Sequence, residues 1–595
     1  MAKASPRKRP STRRTTPTVL LGPEHLEKFQ GVEEVGVDIE TGMRRGGGPM
    51  DGLNPWRGAV AVITYYDEDS NTVIVDHCRG KVSKESKKFL ESRKRIVGHN
   101  LAGFDLLYLH THGVHLEHVD VWDTMLSELA LLTTDRRDVS VSLKSTVARR
   151  TGKKLKKDQD HSGWMNERLT ESQMGYVVGD VTELMKTKKE QLARADDDQL
   201  MAIEVENALV PIIVKMSTNG VPVDTAKMKA FIGGQAKSFD ALSKKLSKDL
   251  GPINFGSHVQ VCAAFAKLGF ELKATGKEVL KDHAMFPGKC GELCKDLLEL
   301  KHAKQRMNMY KDDWMHEYVI DGLIHPRYWT CSTDTGRMSS SSPNLQQWPR
   351  DMRLVVGGVP GHKMVWGDYS QLEIRVAAAV ANCPGLKAAF EGGKHIHTDV
   401  ASIAFKVPYD EVTKDMVKLA KALSFTMLFG GGWETFATYA RMAGFPLTRA
   451  EAERIIHDFF AAYPGLMRLK DFANKECNKA RYGNFPVTLR LPTGLKRHLF
   501  GYKASPSRLM NTLIQGGAAA GLKFSMIECH RRGLTEYMVS AVHDELVASV
   551  PDKKVHEFKG ELDECMKYGM REIMDVPVEV DIKSGNYWVE EEEAA

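Results

Sequence analysis

The sequence of 595 residues lacks several features that mark other protein classes. It has no run of about 18 apolar residues, so it predicts neither a membrane-spanning helix nor the apolar core of a signal peptide. The nine cysteines are odd in number and scattered, which argues against a disulfide scaffold and for a reducing compartment. Cys290 and Cys294 form the one close pair, and since no second pair stands at zinc spacing, we interpret them as helix residues.

A strong excess of one charge is also absent, because 83 basic residues face 77 acidic ones and leave a net charge of +6. Residues 1–17 contain six basic residues and no acidic one, so the rest of the chain is formally neutral. A neutral body can still hold a basic cleft beside an acidic centre. We predict a disordered basic tail over 1–22, which serves either as a solubilising segment or as a non-specific anchor for nucleic acid.

Hydrophobic periodicity predicts a multidomain chain that is α/β at its start and α+β afterwards. A strand is predicted over 35–39, a single helix over 291–318, and a helix over 225–250 with Asp224 as its N-cap. The polar residues His543, Asp544 and Glu545 interrupt an apolar stretch and mark the tip of a hairpin. The predicted segments after the tail are 23–195, 196–325, 326–382, 383–500 and 501–595.

Five residues of the first folded segment combine into a candidate metal site. Asp38 and Glu40 lie two apart on an apolar strand, so both carboxylates point to one face. Asp105 begins a helix, and Tyr176 and Asp180 lie four apart on another helix. Taken singly, such an Asp is usually a cap and such a Tyr a core residue. Together, four carboxylates and a phenol are enough to hold two divalent cations and orient a water molecule.

A second constellation lies in the later part of the chain. Asp368 ends a predicted strand and Asp544 lies at the hairpin tip, and two such carboxylates can hold a pair of cations. Lys421, Phe425 and Phe429 are spaced by four along a predicted helix and share one face. A basic helix is often only a solvated surface, and the two phenylalanines could be core residues. The functional alternative pairs a lysine on phosphate oxygens with an aromatic ring stacked on a base or sugar.

Two resemblances make these constellations specific. The strings VDIET, GHNLAGFDLLYL and YVVGDV resemble the three motifs of the DEDD 3′–5′ exonucleases, in the variant whose third motif carries a tyrosine. The strings DYSQLEIR, KDMVKLAKALSFTMLFGG and VHDEL resemble motifs A, B and C of the family A DNA polymerases, which include bacterial DNA polymerase I and many phage replicases. STDTGRMSSSSPNLQQWP, HIHTDVA, NTLIQGGAAAGLK and VEVDIKSGNYW resemble further segments of that family, in the same order.

The resemblance implies an architecture and a division of the chain. An RNase H-like exonuclease domain (23–195) would stand beside a right-hand polymerase of palm, fingers and thumb. Residues 196–325 would form the thumb and the chain's entry into the palm, and 326–382 would form the part of the palm that carries motif A. Residues 383–500 would form the fingers, which carry motif B, and 501–595 would form the C-terminal part of the palm, which carries motif C.

The resemblance also implies roles for single residues. The metal-binding acids would be Asp368 and Asp544 in synthesis, and Asp38, Glu40, Asp105 and Asp180 in degradation. Further catalytic residues would be Glu545, as an auxiliary acid, Lys421, as a triphosphate contact and acid for the leaving pyrophosphate, and Tyr176, which positions the attacking water. Nucleotide-binding residues would be Tyr369, Glu373 (the steric gate against a 2′-hydroxyl), Lys421, Phe425 and Phe429. DNA contacts would be Arg337, Gln346, Arg375 (which also supports motif A), Asn511, Gln515 and His543.

Departures from the family pattern are informative. Val417 stands where the family usually has an arginine, and Lys414, Lys418 or another part of the fingers would have to supply that charge. Phe429 stands where tyrosine is common. Phe425, in place of tyrosine, resembles members that discriminate against dideoxynucleotides.

The expected function is template-directed DNA synthesis from dNTPs with 3′–5′ proofreading, in a phage-type replicase that is a monomer. The expected cofactor is Mg²⁺, two per active site, with Mn²⁺ as a substitute. The expected partners are primer–template DNA and replisome proteins such as a helicase and a single-strand binding protein, with no membrane partner. The expected location is the cytoplasm, of a host cell for a phage protein, with an organelle as the weaker option.

Two expectations concern absent segments. The short stretch before residue 23 leaves no room for a 5′-nuclease domain, and 226–320 is too short for the loop that captures thioredoxin as a clamp. The alternatives are an exonuclease whose second half only holds DNA, a single-subunit RNA polymerase, and a non-enzymatic scaffold. Glu373 and the exonuclease motifs argue against the RNA polymerase, and Asp368 with Asp544 against the other two.

Overall fold

The computed structural model describes residues 16–44, 48, 51–155, 163–310, 312–483 and 485–590. The chain divides into two compact units, each made of two segments. The first unit comprises Met1–Glu128 and Ser140–Ala195, and the second comprises Leu129–Val139 and Asp196–Ala595. Most of the predicted tail lies outside the described residues, as do 45–47, 49–50 and 591–595. None of the helices in the described ranges is long and apolar enough to cross a membrane.

The first unit is an α/β unit built on one six-stranded sheet in the order β1-β4-β3-β2-β5-β6. Its strands are β1 (Thr18–Leu21), β2 (Glu34–Met43), β3 (Gly58–Asp67), β4 (Thr72–Asp76), β5 (Arg95–Gly98) and β6 (Asp120–Asp123). Its helices are α1 (Lys84–Glu91), α2 (Asp105–Thr111), α3 (Thr124–Leu131), α4 (Leu143–Thr151) and α5 (Glu171–Arg194). The predicted α/β character of this segment and its strand over 35–39 are confirmed.

Two boundaries of the first unit differ from the sequence prediction. The predicted tail overlaps strand β1, because the β-prone run 18–21 pairs in parallel with β4 and so completes one edge of the sheet. The stretch 129–139 belongs to the second unit, where Asp135 lies 3.0 Å from Arg497 and 2.9 Å from Lys503. These ion pairs join residues more than 350 positions apart, which no local pattern reveals.

In the described part of the second unit, the helices before β8 are α6 (Asp197–Ala208), α7 (Val210–Asn219), α8 (Thr225–Leu250), α9 (His258–Lys267), α10 (Lys277–Ala284), α11 (Lys289–Met309) and α12 (Asp312–Tyr318). The later helices there are α13 (Leu372–Val380), α14 (Pro384–Glu391), α15 (Ile396–Phe405), α16 (Lys414–Leu428), α17 (Trp433–Met442), α18 (Arg449–Ala462), α19 (Pro464–Tyr482), α20 (Pro506–Arg531) and α21 (Val555–Arg571). Its strands are β7 (Val221–Pro222), β8 (Val319–Ile320), β9 (Leu323–Ile324), β10 (Arg327–Trp329), β11 (Ser339–Ser341), β12 (His362–Tyr369), β13 (Val487–Arg490), β14 (Lys496–Leu499), β15 (Met538–Val542), β16 (Glu545–Pro551) and β17 (Val580–Gly585).

An antiparallel sheet in the order β15-β16-β12-β17 forms the centre of the second unit. The long helices α20 and α21 pack closely on one another beside it. A Cβ atom added at Gly569 would lie 2.1 Å from the Ser525 hydroxyl and 2.4 Å from the Gly521 carbonyl, so only glycine permits this approach. This close packing supports strand β12, whose last residues carry Asp368.

The helices α8 to α11 enclose a separate apolar cluster that includes Leu246, Phe265 and Leu297, all fully buried. Asp224 caps α8 as predicted, since its side chain accepts a hydrogen bond from the Lys227 backbone N–H. The single helix predicted over 291–318 is instead two helices, α11 and α12. The break follows Tyr310, which leaves helical geometry and buries its ring against Trp314 and Trp348.

Candidate functional sites

The first unit gathers the predicted acids from three elements. Asp38 and Glu40 lie on β2 and point to the same face, Asp105 is the first residue of α2, and Tyr176 and Asp180 lie one turn apart on α5. The Asp105 carboxylate accepts a hydrogen bond from the Ile39 backbone N–H at 3.2 Å, which fixes the start of α2 beside the strand. The structure therefore brings together all five residues that the sequence singled out in this segment.

The electrostatics of this group are those of crowded, buried carboxyls. Burial raises the pKa of Asp38 well above its ordinary value, and Glu40, Asp105 and Asp180 raise it further. The pKa of Glu40 rises to about 8, from burial first and then from Asp180 and Asp105. Burial also raises the pKa of Asp180 to about 6, although the hydrogen bond from Tyr176 opposes the rise. Like charges at such spacing need a cation, and hard carboxylate oxygens are the donor set that Mg²⁺ or Mn²⁺ prefers.

Asp123 is a buried acid of the first unit that the sequence did not single out. It ends β6 and accepts hydrogen bonds from the backbone N–H groups of Asn100 at 3.0 Å and Met125 at 2.8 Å. Its charge raises the pKa of Asp105 further. Asp123 thus anchors the start of α3 and adds negative potential beside the group of acids.

In the second unit, the central sheet aligns three acids across adjacent strands. Asp368 of β12 pairs in register with Glu545 of β16 on one side and with Asp581 of β17 on the other. Asp544 precedes Glu545 at the hairpin tip, as predicted. Side chains that stand directly opposite each other in antiparallel strands share a face. The sheet therefore supplies a row of carboxylates, of which Asp581 was not anticipated from the sequence.

A cleft of about 340 Å³ opens over Asp368, Asp544 and Asp581 and joins them to helix α16. Its lining residues come from the end of β12, helix α13, the start of α15, helix α16, the hairpin tip and β17. They are Asp368, Tyr369, Ser370, Gln371, Leu372, Glu373, Ile374, His395, His397, Lys421, Ser424, Phe425, Leu428, Asp544 and Asp581. The cleft thus contains acids, a lysine and an aromatic ring, which is the composition needed to hold a metal-bound triphosphate and a base.

Asp368 lies open to the cleft, yet protein surrounds enough of its carboxyl to change its titration. Burial raises its pKa to about 7, with further contributions from Asp544 and Glu545. Burial also raises the pKa of Asp544, although the nearby basic side chains, chiefly Arg337, oppose the rise. Two carboxyls that repel each other in this way fit a divalent cation held between them.

Glu545 is held by two residues that the sequence did not indicate. Arg353 makes a bidentate contact with its carboxylate at 3.1 and 2.7 Å, and the Trp588 indole N–H donates to the same carboxylate at 2.7 Å. The Arg353 guanidinium also lies 4.0 Å from the centre of the Trp588 ring. Arg353 and Trp588 together fix the orientation of Glu545 beside Asp368.

The predicted nucleotide-binding residues occupy different places around the cleft. Lys421 Nζ lies 5.8 Å from the centre of the Phe425 ring, and Phe429 stacks on Phe425 with centroids 6.1 Å apart, although Phe429 is not among the lining residues. Glu373 pairs with Arg337 at 2.8 Å. Tyr369 lines the cleft, but its hydroxyl is bonded inside the unit to Ser525 Oγ at 2.7 Å and donates to the Met566 carbonyl at 2.8 Å.

His395 and His397 are cleft residues whose roles the sequence did not specify. The His397 ring lies 6.2 Å from that of Phe425, and burial lowers its pKa to about 4, so this imidazole is neutral at physiological pH. The lysines considered as substitutes at the Val417 position do not line the cleft. Lys414 is exposed, and Lys418 pairs with Asp415 at 2.7 Å. Lys421 is thus the lysine that the cleft contains.

Two of the predicted DNA contacts are engaged in bonds within the protein. Gln346 donates to the Ala541 carbonyl at 2.6 Å and accepts from the His543 backbone N–H at 2.9 Å, so it braces the hairpin tip. Arg375 is buried, where it donates to the Ser370 carbonyl and stacks on Phe390 at 4.2 Å. These contacts fit the predicted role of Arg375 in supporting motif A, and its contact with DNA stays a prediction.

The remaining predicted contacts lie on α20 and at the hairpin tip. Asn511 and Gln515 are both half-buried and lie one turn apart on α20, and His543 is exposed. The Asn511 side-chain oxygen is buried and has no hydrogen-bond partner among the described residues. An acceptor without a partner is costly unless another molecule supplies the donor.

Two family models match the chain. The model described as DNA polymerase family A matches residues 225–590, and the model described as 3′–5′ exonuclease matches residues 23–192. The carboxylate group of the first unit lies within the exonuclease match. The cleft of the second unit lies within the polymerase match.

Curated relatives agree with these models. DNA polymerase I of Aquifex aeolicus (strain VF5) is 28% identical over 557 residues, which are 88% of this chain and 93% of that protein. DNA polymerase I of Geobacillus stearothermophilus is 27% identical over 425 residues, 67% of this chain and 47% of that protein. The chain therefore spans nearly all of the first relative and about half of the second.

A solved structure described as the POL domain of Pol1 from M. smegmatis, in complex with DNA primer-template and dNTP, has a similar fold. The TM-score is 0.79 at 21% sequence identity, and the match covers 96% of this chain and 99% of that one. At this identity the likeness concerns the fold.

Proposed function

Because the chain belongs to DNA polymerase family A and carries a 3′–5′ exonuclease domain, we propose that it copies a DNA template from dNTPs and edits the primer end. The observation that carries this proposal is the cleft in which Asp368 and Asp544 face Lys421 and Phe425. Acids, an ammonium group and an aromatic ring are combined there around a space of nucleotide size.

Synthesis would use the residues of this cleft in distinct ways. Asp368 and Asp544 would hold two Mg²⁺ ions, which lower the pKa of the primer hydroxyl and neutralise the leaving pyrophosphate when bound. Lys421 would bind the triphosphate oxygens and supply a proton to the leaving group. Phe425 would stack against the sugar and base, and Glu373 would crowd a ribose 2′-hydroxyl.

Editing would use the acids of the first unit. Asp38, Glu40, Asp105 and Asp180 fit the same hard cations, and Tyr176 would orient the attacking water through its hydroxyl. Since Tyr176 is hydrogen-bonded to Asp180, its hydroxyl is already directed toward these acids. A mismatched primer end pairs weakly with its template, which favours its single-stranded binding at this second site.

Single-nucleotide incorporation tests the synthetic proposal. A labelled primer is offered one dNTP or one rNTP opposite each template base, with wild type, Asp544→Ala and the exposed-residue control Asp410→Ala. We expect the wild type and the control to add the complementary dNTP, and Asp544→Ala to add none. Preference for rNTPs would favour an RNA polymerase, and extension by Asp544→Ala would reject the assigned cleft.

We propose further that the enzyme is a monomeric replicase of the phage type, working in the cytoplasm with a helicase and a single-strand binding protein. The support is the resemblance of its motif strings to that group. Synthesis on a singly primed circular template tests this role. Products of full template length with the binding protein would support it, and addition of only a few nucleotides would argue for a repair role. Thioredoxin is expected to leave product length unchanged.

A further inference from the structure

A short stretch of the first unit between α2 and β6 is rich in histidine. Four histidines occur within nine residues, at positions 110, 112, 115 and 118, together with Glu117. None of them belongs to the carboxylate group of that unit. His110 lies in the last turn of α2, and the others follow in the connection that ends where β6 begins at Asp120.

Three of these side chains converge on one point. His110 Nδ1 lies 3.6 Å and His115 Nδ1 3.9 Å from the same oxygen of Glu117, and the two rings meet edge to face with centroids 5.2 Å apart. One ligand atom from each residue lies within 4.8 Å of the others. Among the residues that the structure describes, no other three His, Cys, Asp or Glu side chains meet this closeness.

The spacing is near that of a tetrahedral site. Ligands bound to Zn²⁺ at about 2.0–2.1 Å lie about 3.3 Å from one another, so small side-chain rotations would close the cluster on an ion. All three side chains reach solvent, with exposed fractions of 29% for His110, 61% for His115 and 29% for Glu117. An ion can therefore enter, and a water molecule can complete its coordination.

The backbone that presents these ligands is already fixed. The His115 N–H donates to the Glu91 carboxylate at 2.9 Å, and the His118 ring contacts the Glu91 carbonyl at 2.7 Å. The Val114 N–H donates to the Leu109 carbonyl at 3.0 Å. His112 is engaged elsewhere, since its ring nitrogens contact the Tyr108 carbonyl and the Val60 N–H. A preformed loop lowers the entropy lost when a metal binds.

We propose that His110, His115 and Glu117 form a binding site for a transition-metal cation of the Zn²⁺ class, separate from the carboxylate sites of catalysis. Two imidazoles and one carboxylate suit Zn²⁺, Co²⁺ or Ni²⁺, whereas Mg²⁺ prefers oxygen donors and retains its water. The bound ion would join the end of α2 to the connection before β6. Because a ligand that binds only the folded state stabilises it, the ion would stabilise the first unit.

Titration with Co²⁺ in excess Mg²⁺ tests the site in the full chain. The background carries Asp38→Ala and Asp368→Ala, so that the catalytic acids contribute little. We expect one Co²⁺ per chain with the visible absorption of a four-coordinate site. His115→Ala and Glu117→Gln should each weaken binding at least tenfold, and the matched control His118→Gln should bind as the background does.

Thermal melting with Zn²⁺ or a chelator gives an independent readout. In chelator, His115→Ala, Glu117→Gln and the background should melt together, which shows that the variants are folded. Zn²⁺ should raise the melting temperature of the background and of His118→Gln, and leave both ligand variants unchanged. The proposal is overturned if the background binds no Co²⁺, or if the ligand variants retain its affinity and its Zn²⁺ response.

Discussion

Arg337 and Glu373 form an ion pair at the rim of the cleft, with Nη2 of the arginine 2.8 Å from Oε1 of the glutamate. Glu373 lies in the first turn of α13, and Arg337 lies in the connection between β10 and β11. The sequence assigned one of them to the sugar of the nucleotide and the other to DNA. Their pairing joins the glutamate side chain to an arginine that we expect to contact the primer–template DNA.

The first prediction concerns sugar selection. Glu373→Ala removes the bulk expected to exclude a 2′-hydroxyl, so the preference for dCTP over CTP should fall at least tenfold, about 1.4 kcal/mol in transition-state energy. Single-nucleotide extension gives both values of kcat/KM. Glu373→Gln keeps the bulk and should retain most of the preference. Equal loss in both variants would show that charge, and not size, excludes the ribose.

The second prediction concerns chain terminators. Phe425 lacks a hydroxyl that could replace the interaction of a missing 3′-OH, so the wild type should discriminate strongly against dideoxynucleotides. Phe425→Tyr should incorporate them at least tenfold better at the same dNTP efficiency. Phe429→Tyr is a matched control, because its ring stacks on Phe425 outside the residues that line the cleft. Equal dideoxynucleotide incorporation by wild type and Phe425→Tyr contradicts the assignment.

The third prediction concerns Arg353 and Trp588, the two residues that hold Glu545. Arg353→Ala leaves a buried carboxylate without its bidentate partner, which should raise the pKa of Glu545 further and slow extension at least tenfold at neutral pH. Extension should recover partly as pH rises, since the carboxyl then ionises. Trp588→Phe keeps the ring and removes only one donor, so its effect should be smaller.

Arg350→Ala serves as the control for that experiment, because Arg350 lines the same cavity as Arg353. Degradation of single-stranded DNA should be unchanged in all three variants. An Arg353→Ala enzyme with wild-type extension at every pH would mean that Glu545 needs no such support.

The fourth prediction concerns metal and pH in degradation. The pKa of Asp180 is raised to about 6 and that of Glu40 to about 8, so these carboxyls retain protons where free ones have lost them. A cation must displace those protons, and its apparent affinity should rise as pH increases from 6 to 8 and then level off. Assays of single-stranded DNA degradation at increasing Mg²⁺ concentration and at several pH values measure this apparent affinity. A half-saturating Mg²⁺ concentration that does not change with pH would contradict it.

The sequence alone could predict the features that depend on the spacing of residues along a single strand or helix. Asp38 with Glu40 and Tyr176 with Asp180 share faces because strand and helix periods dictate it, and the hairpin tip at Asp544 follows from a polar interruption of an apolar run. These patterns predicted the α/β first segment and the acids Asp38, Glu40, Asp180 and Asp544, but neither Asp123 nor Asp581.

Other parts of the sites depend on contacts between distant positions. Arg353 and Trp588 reach Glu545 across 192 and 43 residues, and Asp581 meets Asp368 only through strand pairing. The resemblance placed Arg375 among the DNA contacts, whereas its burial and its stacking on Phe390 depend on tertiary packing. The histidine cluster at 110–117 escaped notice because its three ligands converge only when the turn after α2 folds back.

The central claim is that one chain synthesises DNA at Asp368 and degrades it at Asp38. The most direct measurement follows one labelled primer with a mismatched end, annealed to its template, in Mg²⁺ and dNTPs. Wild type should remove the mismatch and extend, Asp368→Ala should only shorten the primer, and Asp38→Ala should leave the mismatch in place or extend it slowly. Extension by Asp368→Ala, or removal of the mismatch by Asp38→Ala, would contradict the account.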